Sequence, residues 1–424
     1  MSTGGSGEGT TAAAVAPAVR VVVMKFGGSC LATDALRACA ADRVAEARDA
    51  GRQVIVVTSA IGRKPAPYST DSLLALVPHA MSGPNIDLLL ASGEMISAAI
   101  FAECLASRHI VARALTGAQA GVLTDDRHGD ARVLAVDTSA LAALLVSGIV
   151  PVVCGFQGVT HDGAFTTLGR GGSDLSAVAL CSAFKESSLD IYTDVEGVMT
   201  ADPKRVPSAR TIPVLDFEEV NELAQHGASV VHDRAAALAR ESRLPFAVRS
   251  LRSGIGTAIS DDAQRDARHP VTGVAASFGF TFFHVAPDAA NLPGGWEQDA
   301  FRSLWEAGVS LDCVNLNAAG LFFIVRDADR QTARDRLASL PVALRMRHEC
   351  AKIAIVGAGM RGTPGVMYRV VSALNDASVP IIHSTDSNVT ISVLVPGPLA
   401  ARAENTLHDQ FELGAQPQPG KALL

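Results

Sequence analysis

Short apolar runs rich in β-branched residues alternate with longer amphipathic stretches from about residue 20 to residue 260. This alternation is typical of βαβ units built around a mostly parallel sheet. Some of the runs are continuous enough to predict central strands that are buried on both faces. They are Val21–Met24, Val54–Val57, Ile149–Val153 and Leu189–Tyr192.

Polar capping residues indicate where helices begin between these strands. Thr33 is placed to cap a helix that ends near Gly51, and Ser173-Asp174 to cap another that continues through Phe184. Region 19–260 is therefore predicted to form one α/β domain, which is large enough to be a catalytic domain.

The alternation breaks at residues 261–270, where charged residues dominate and a proline ends the segment, so a linker is predicted there. Beyond it, the order strand, helix, strand, strand, helix, strand is predicted twice, at residues 271–345 and 346–415. This order is that of a ferredoxin-like βαββαβ unit. The recognisable elements are helix Glu297–Ala307 with strands Ser310–Leu316 and Leu321–Val325, then helix Gly365–Asp376 with strands Val379–His383 and Val389–Val395.

Composition agrees with a packed, multidomain architecture. The 424 residues are 48% hydrophobic but only 5% aromatic, with 37 glycines, which argues against a disordered or fibrous chain. Lysine and arginine total 36 against 43 aspartates and glutamates, a net charge of −7 without a basic stripe. We therefore expect no nucleic-acid partner, and an anionic ligand would need a local cluster of cations.

Seven cysteines are scattered singly and never at metal-ligand spacing, so we expect reduced thiols, no metal site and a cytoplasmic location. Residues 1–18 are rich in Gly, Ser, Thr and Ala and are predicted to be a disordered tail, with a second tail at 416–424. No apolar run approaches the roughly 18 residues of a membrane span, so no membrane association is expected.

Two glycine-rich segments carry candidate phosphate-binding chemistry. Lys25–Ser29 follows a buried strand, at the sheet edge where α/β proteins bind ligands, and joins a cation to Gly27 and Gly28, whose backbone amides can approach phosphate oxygens. Thr166–Asp174 leads into a helix and adds Arg170, a planar fork suited to a carboxylate. Taken singly, Lys25–Ser29 is more often only a tight turn with a solvated lysine, and Thr166–Asp174 is equally explained as a glycine turn with Ser173 or Asp174 as the helix cap.

Two further segments are polar at positions that suit a nucleotide or an amino acid. Tyr192–Lys204 follows another strand, and its Asp and Thr groups suit a nucleotide's sugar and metal-bound phosphates, although a polar loop needs no ligand. Leu90–Ser97 places one carboxylate, Glu94, in an otherwise apolar helix start, where it could bind an amino group. The alternative for Glu94 is an acid favoured by the helix dipole.

In order and spacing, these segments resemble the aspartate kinases of the amino-acid-kinase superfamily over about residues 20–415. The resemblance also rests on Ser59-Ala60, Thr70–Leu73, Ser92–Glu94, Leu115–Gly121 and Gly155–Gly158. Val356–Val366 and Ser384–Ser387 are similar to the tandem ACT regulatory region of that family. Tyr68–Asp71 and Asp386-Ser387 most resemble its diaminopimelate-sensitive branch.

The resemblance implies an amino-acid-kinase fold, α/β with a mostly parallel sheet flanked by helices, followed by two ferredoxin-like βαββαβ ACT domains. It implies that ATP and L-aspartate give ADP and 4-phospho-L-aspartate, the first step toward lysine, threonine, methionine and diaminopimelate. An aspartate carboxylate, with a pKa of about 3.9, is already ionised near neutrality, so no general base is needed. Positioning and charge neutralisation suffice for phosphoryl transfer.

The resemblance also implies roles for individual residues. Lys25 and Asp174 would be catalytic, with Asp174 orienting Lys25. The implied aspartate-binding residues are Ser59, Thr70, Glu94, Arg170, Gly171, Gly172 and Ser173. The implied ATP-binding residues are Lys25, Phe26, Gly27, Gly28, Ser29, Thr193, Asp194, Met199, Thr200, Ala201, Asp202, Pro203 and Lys204, with Mg²⁺ arriving on the nucleotide. An effector site would involve Met360, Gly365, Val366, Asp386 and Ser387.

Three positions depart from the family's pattern. Ser229 stands where the family has a lysine facing the phosphates, Lys204 stands where it has an arginine, and Asp233 replaces a proline. Loss of one transition-state donor would cost about 2.7–4 kcal/mol, or 10²–10³ in rate. Lys204, Arg205 and Arg234 are the candidates for compensation.

Three functional hypotheses follow from these residues. The first is an aspartate kinase with feedback through its ACT domains, for which lysine, threonine, diaminopimelate and no effector are all left open by the sequence. The second is a paralogue with a different carboxylate acceptor, and the third a catalytically weak, amino-acid-binding regulatory subunit. Because ACT units in this family bind effectors between paired regulatory domains, a homodimer or larger homo-oligomer is implied.

Overall fold

The computed structural model describes residues 21–77, 82–226, 231–261, 269–287 and 295–415. The predicted tails and most of the predicted linker therefore lie outside the described residues. In the first region the strands are β1 Val21–Phe26, β2 Gln53–Thr58, β3 Ala112–Leu115, β4 Val122–Thr124, β5 Val133–Val136, β6 Val150–Cys154, β7 Gln157–Val159, β8 Phe165–Thr167, β9 Ser188–Thr193, β10 Val214–Leu215, β11 Phe246–Ser250 and β12 Gly256–Ile259. The helices are α1 Asp34–Asp49, α2 Thr70–Leu74, α3 Pro84–Ala106, α4 Ser139–Val146, α5 Gly172–Ser182, α6 Phe217–Gln225 and α7 Asp233–Glu241.

The described strands of this region form two sheets. The larger has the order β10-β12-β11-β9-β1-β2-β6-β3 and is parallel except between β11 and β12. The smaller has the order β5-β4-β7-β8. All of the predicted central strands are confirmed, and they lie in the larger sheet. Side chains alternate across it: Val23 packs into the core on one face, while Val22 and Met24 pack into the core on the other.

One predicted helix cap is confirmed and one is wrong. The Thr33 hydroxyl accepts a hydrogen bond from the Leu36 amide at 3.3 Å and begins α1. Helix α5 is instead preceded by Gly171, in the left-handed region at φ 70°, without a side-chain cap. Ser173 and Asp174 lie inside its first turn, where their side chains contact Ser59 and Lys25.

The second region consists of β13 Gly273–Pro287, α8 Trp296–Glu306, β14 Asp312–Asn317, β15 Gly320–Arg326, α9 Arg330–Ala338, β16 Val342–Val356, α10 Val366–Asp376, β17 His383–Asp386, β18 Thr390–Pro396 and α11 Ala400–Gln410. Its described strands form one sheet with the order β14-β15-β13-β16-β18-β17. The two long strands, β13 and β16, are antiparallel and run through both βαββαβ units.

The shared strands differ from the predicted arrangement of two consecutive units. The assigned boundary at 345 and 346 falls inside β16. The first unit ends with the early part of that strand, while the outer strand of the second unit is Gly273–Ser277, which pairs with Lys352–Val356. A stretch at the start of the region therefore supplies the strand that was expected to follow α11.

One predicted strand is displaced along the chain. The strand expected at Val379–His383 is observed as β17, His383–Asp386. Pro380 cannot donate a hydrogen bond to a neighbouring strand. Contact with β18 starts only where the Ile382 amide donates to the carbonyl of Leu394 at 2.8 Å.

Helix α3 is, by length and composition alone, long enough and apolar enough to cross a membrane. Its longest uninterrupted apolar runs, Leu88–Ala91 and Ala98–Ala102, are far shorter than a membrane span, and the buried helix of a folded domain meets the same test. Asp87, Glu94 and Phe101 are buried on it, and Phe101 packs with Phe26 of β1 at a ring distance of 5.5 Å. In this structure α3 is a core helix that carries two buried carboxylates.

The shared strands predict how fragments of the second region behave. A fragment of residues 342–415 leaves the Lys352–Val356 edge of β16 unpaired and loses the buried side chains of Val274 and Ala276, so we expect it to be less stable than a fragment that keeps Gly273–Ser277. A fragment of residues 269–415 retains that strand, and we expect a higher free energy of unfolding. Circular dichroism with urea unfolding measures both, and equal free energies of unfolding would contradict the shared-strand arrangement.

Candidate functional site

A cleft of about 1050 Å³ opens at the carboxyl ends of β1, β2 and β9, where parallel sheets bind ligands. It brings together most of the residues that the sequence singled out. Those that line it are Lys25, Gly27, Gly28, Ser29, Ser59, Thr70, Glu94, Arg170, Gly171, Gly172, Ser173, Asp174, Thr193, Asp194, Met199, Ala201, Asp202, Pro203 and Lys204.

An ion pair lies between the two glycine segments. Lys25 Nζ, from the end of β1, is 2.6 Å from Asp174 Oδ1, in the first turn of α5. Both side chains are only 11% exposed, so each charge is stabilised mainly by the other. Beside them, the Ser59 hydroxyl donates to the hydroxyl of Ser173 at 2.9 Å, which joins the end of β2 to α5.

Close backbone packing explains two of the glycines. A Cβ atom on Gly28 would lie 2.3 Å from the carbonyl oxygen of Ala60. One on Gly171, which already has φ 70°, would lie 2.2 Å from the ring of His232. Gly27 differs, because a Cβ there would meet Lys25 Nζ and the carbonyl of Tyr192 only at ordinary contact distances of 3.7 and 3.8 Å. These turns keep backbone beside the Lys25 ammonium group, as a phosphate site requires.

Glu94 is the most perturbed acid of the cleft. Its side chain is 2% exposed, and burial raises its pKa to about 8, although a hydrogen bond from the Ala60 amide at 3.0 Å opposes the shift. Its second oxygen, Oε2, has no hydrogen-bond partner among the described residues. A ligand ammonium group in the cleft would complete the bonding of this carboxylate and favour its charged form.

Arg170 lies exposed at the cleft, on the turn between β8 and α5. The sequence reasoning missed the residue that holds this turn, Asp87, which is fully buried in the first turn of α3. Asp87 accepts hydrogen bonds from the Thr167 amide at 3.0 Å, the Thr167 hydroxyl at 2.6 Å and the Gly129 amide at 3.1 Å. His128 Nδ1 lies 2.8 Å from it. A lone carboxylate seven residues before Glu94, on the same helical face, was the available signal.

Two of the implied ATP-binding side chains do not line the cleft. Phe26 is buried beneath it, stacked on Tyr192 at a ring distance of 5.0 Å. The hydroxyl of Thr200 lies 2.9 Å from Nε2 of His408 in the second region and so faces away from the cleft. Phe26 points away from Lys25 because successive side chains of a strand lie on opposite faces of the sheet. The orientation of Thr200 is set by His408, which is 208 residues away in the chain.

Lys204, Arg205 and Arg234 are the candidates to replace the positive charge absent at Ser229. Two of them, Arg205 and Arg234, are paired with other groups of the protein. Arg205 pairs with Glu404 and with Asp202, and Arg234 Nη1 donates to Asp130 and to the Leu168 carbonyl at 2.7 and 2.8 Å. Lys204 lines the cleft and is exposed. Ser229 and the side chain of Asp233 lie outside what the structure describes, so the effect of these two departures stays a prediction.

The implied effector residues divide into core and surface. Met360 and Val366 are buried in the core of the second βαββαβ unit, and Gly365 is the residue before α10, at φ 89°. Asp386 and Ser387 are exposed between β17 and β18, where the Ser387 hydroxyl accepts from the Thr390 amide at 3.1 Å. Met360 and Val366 therefore act as packing residues in this structure.

Cys30, next to the glycine turn, is a buried free thiol. Burial raises the pKa of Cys30 to about 11, so this neighbour of the glycine turn is a packed thiol rather than a reactive thiolate. Within the described ranges, no group of three or more His, Cys, Asp and Glu side chains is arranged to hold a metal ion.

Comparisons with known proteins agree with this architecture. Residues 20–250 match the amino acid kinase family, and residues 353–411 match an ACT domain. Aspartokinase 1 of Bacillus subtilis is 39% identical over 404 residues, which cover 93% of this chain and 100% of the relative. The aspartokinase of Mycolicibacterium smegmatis is 36% identical over 417 residues, which cover 93% of this chain and 96% of the relative.

Solved structures show the same arrangement. Escherichia coli aspartokinase III in complex with aspartate and ADP superimposes with a TM-score of 0.71 at 25% identity, covering 92% of this chain and 99% of that chain. The same protein with lysine and aspartate, in its T-state, gives the same values. The chain therefore belongs to the amino acid kinase family, in the form that carries a C-terminal ACT region. Within that family it is a member of the aspartokinases.

The raised pKa of Glu94 predicts a pH-dependent stability. Between pH 4.5, its ordinary pKa, and about 8, the folded protein keeps a proton that the unfolded chain has lost, so stability falls as pH rises. Glu94→Gln removes this penalty. We expect the variant to match the wild type at about pH 5 and to melt several degrees higher at about pH 9. Differential scanning calorimetry at both pH values measures this. A difference in melting temperature between variant and wild type that is the same at both pH values would contradict the assignment of Glu94 as a buried acid with a raised pKa.

Proposed function

We propose that this chain transfers the γ-phosphoryl group of ATP to the side-chain carboxylate of L-aspartate, giving ADP and 4-phospho-L-aspartate. The observation that carries the proposal is the buried Lys25–Asp174 ion pair between two glycine turns, in one cleft with Glu94 and Arg170. Membership of the aspartokinases supports the same reaction.

Each side chain has a role that its chemistry allows. Lys25 and the amides of Gly27 and Gly28 neutralise the transferring phosphoryl group, and Asp174 holds the Lys25 ammonium group in place. Arg170 pairs with the substrate α-carboxylate, and Glu94 accepts its α-ammonium group. With both ends of the substrate held, its side-chain carboxylate is presented to the phosphoryl group without a general base.

The nucleotide lies along the loop that follows β9. Thr193, Asp194 and Asp202 supply polar side chains on this part of the cleft, and Lys204 adds a cation. Mg²⁺ bound to ATP would neutralise phosphate charge, and Asp194 and Asp202 are the carboxylates on this part of the cleft that would orient the complex.

We also propose the finer assignments that the family's pattern suggests. The ACT region binds an amino-acid effector, with lysine, threonine and diaminopimelate as the candidates. Tyr68–Asp71 and Asp386-Ser387 support the diaminopimelate-sensitive branch. A homodimer or larger homo-oligomer, a cytoplasmic location and a place in lysine and threonine biosynthesis complete the proposal.

Turnover with L-aspartate tests the main proposal. We expect aspartate-dependent ADP release with MgATP and trapping of the acyl phosphate as a hydroxamate. Lys25→Gln, which keeps a polar hydrogen-bond donor on a slightly shorter side chain but removes the charge, should lower kcat by about 10²–10³. A panel of amino and dicarboxylic acids serves as the control. A better acceptor than aspartate would favour the paralogue hypothesis, and effector binding without turnover the regulatory-subunit hypothesis.

The hydrogen bonds that Asp87 accepts predict a change in the KM for aspartate but not in the KM for ATP. Asp87→Asn replaces one acceptor oxygen by a donor, so the Gly129 and Thr167 amides lose part of their anchor and the turn that carries Arg170 loosens. We expect the KM for aspartate to rise about tenfold, the cost of a charge-assisted hydrogen bond, with the KM for ATP unchanged. Steady-state kinetics with each substrate varied measure this, and equal rises in both KM values would refute it.

A further inference from the structure

The loop Met199–Arg210 has two sides that contact different parts of the protein. On one side Met199, Ala201, Asp202, Pro203 and Lys204 line the cleft. The other side packs against helix α11 of the second βαββαβ unit. The loop assigned to the nucleotide is therefore also a contact surface of the ACT region.

A chain of charges crosses this loop. Glu404 of α11 is 0% exposed and accepts two hydrogen bonds from the Arg205 guanidinium group, at 2.6 Å from Nε and 3.2 Å from Nη2. The remaining nitrogen of the same group, Nη1, lies 2.8 Å from Asp202 Oδ2. Since Asp202 lines the cleft, three consecutive charged groups connect helix α11 of the ACT region to the side of the cleft assigned to the nucleotide.

Several other contacts hold the same loop from the same direction. The buried His408 ring lies between the hydroxyls of Thr200 and Ser208, at 2.9 and 3.3 Å. The side-chain amide of Asn405 donates to the backbone carbonyl of Arg205 at 2.8 Å. The Val274 amide of β13 donates to the carbonyl of Thr200 at 2.8 Å. Side chains and backbone of the loop are thus both fixed by the ACT region.

We propose that Glu404 is a positioning residue for the nucleotide: through Arg205 it holds Asp202 and the adjoining loop in the conformation that binds ATP. A fully buried carboxylate needs a close counter-charge or several hydrogen-bond donors, and Glu404 has the Arg205 guanidinium group, which is thereby restricted to one place. The guanidinium group is planar, and this fixes Asp202 in turn. The inference rests on the proposed function only in assigning ATP to this loop.

The arrangement implies a reciprocal linkage between nucleotide and α11. If α11 holds the loop in its nucleotide-binding form, then nucleotide binding must stabilise the packing of α11 against the loop by the same free energy. Any ligand of the ACT region that shifts α11 would then change the affinity for ATP before the affinity for aspartate.

Kinetics of two variants test the proposal. Glu404→Gln removes the charge but keeps the shape, and Arg205→Lys keeps the charge but loses the two-point geometry. We expect either variant to raise the KM for ATP and the Kd for MgADP about tenfold, with the KM for aspartate unchanged. An unchanged KM for ATP and Kd for MgADP in a folded variant would overturn the proposal, as would an equal rise for both substrates.

Asp87→Asn is the matched control, because it also alters a buried, multiply bonded carboxylate. We expect opposite selectivity in the two variants. Glu404→Gln raises the KM for ATP alone, and Asp87→Asn raises the KM for aspartate alone. General destabilisation would move both substrates in both variants, and that result would refute the positioning role.

Hydrogen exchange of the unmodified protein gives a second test that needs no variant. We expect saturating MgADP to slow amide exchange in α11 as well as in the loop, and L-aspartate alone to leave α11 unchanged. Protection of the loop without α11 would overturn the linkage. Nucleotide titration needs no turnover, so unchanged MgADP affinity in a variant marks failure of this inference. Absence of aspartate-dependent turnover in the wild type marks failure of the proposed function.

Discussion

The ion pair between Lys25 and Asp174 is the interaction on which the arrangement of the site depends. It joins the end of β1 to the first turn of α5, which are far apart in the chain, and it does so where both side chains are largely removed from water. Because neither charge is stable there alone, the two glycine turns must lie together. The remaining groups of the cleft are placed around that pair.

Besides Asp174, three buried carboxylates among the described residues serve this site in different ways, and their hydrogen bonds and ion pairs explain the difference. Asp87 is bonded by several donors and Glu404 by a guanidinium group, so both are satisfied in the folded protein. Glu94 receives one amide hydrogen bond and keeps an unpartnered oxygen. The two satisfied acids hold other groups in position, whereas the unsatisfied one is available to a ligand, at a cost in stability.

Much of the kinase region could be predicted from the sequence because its signals are local. Buried strands such as Val54–Val57 are continuous apolar runs, the Thr33 cap acts three residues along the chain, and the glycine segments follow strands directly. The cap proposed for α5 was wrong because the side chain of Asp174 has a stronger, distant partner in Lys25. A local preference for a capping position is overridden where a buried charge can pair with an opposite charge from elsewhere in the fold.

The sequence by itself determined the α/β architecture and the repeated βαββαβ units, because hydrophobic period and glycine turns are properties of short segments. Most residues of the cleft followed from motifs whose order resembles that of a known family. Only the tertiary structure decided that β13 completes the second unit and that Phe26 and Thr200 face away from the cleft. It also decided that Glu404 holds a loop 199 residues distant. These features are pairings between segments remote in sequence, and their energies come from burial and charge complementarity that exist only once the chain has folded.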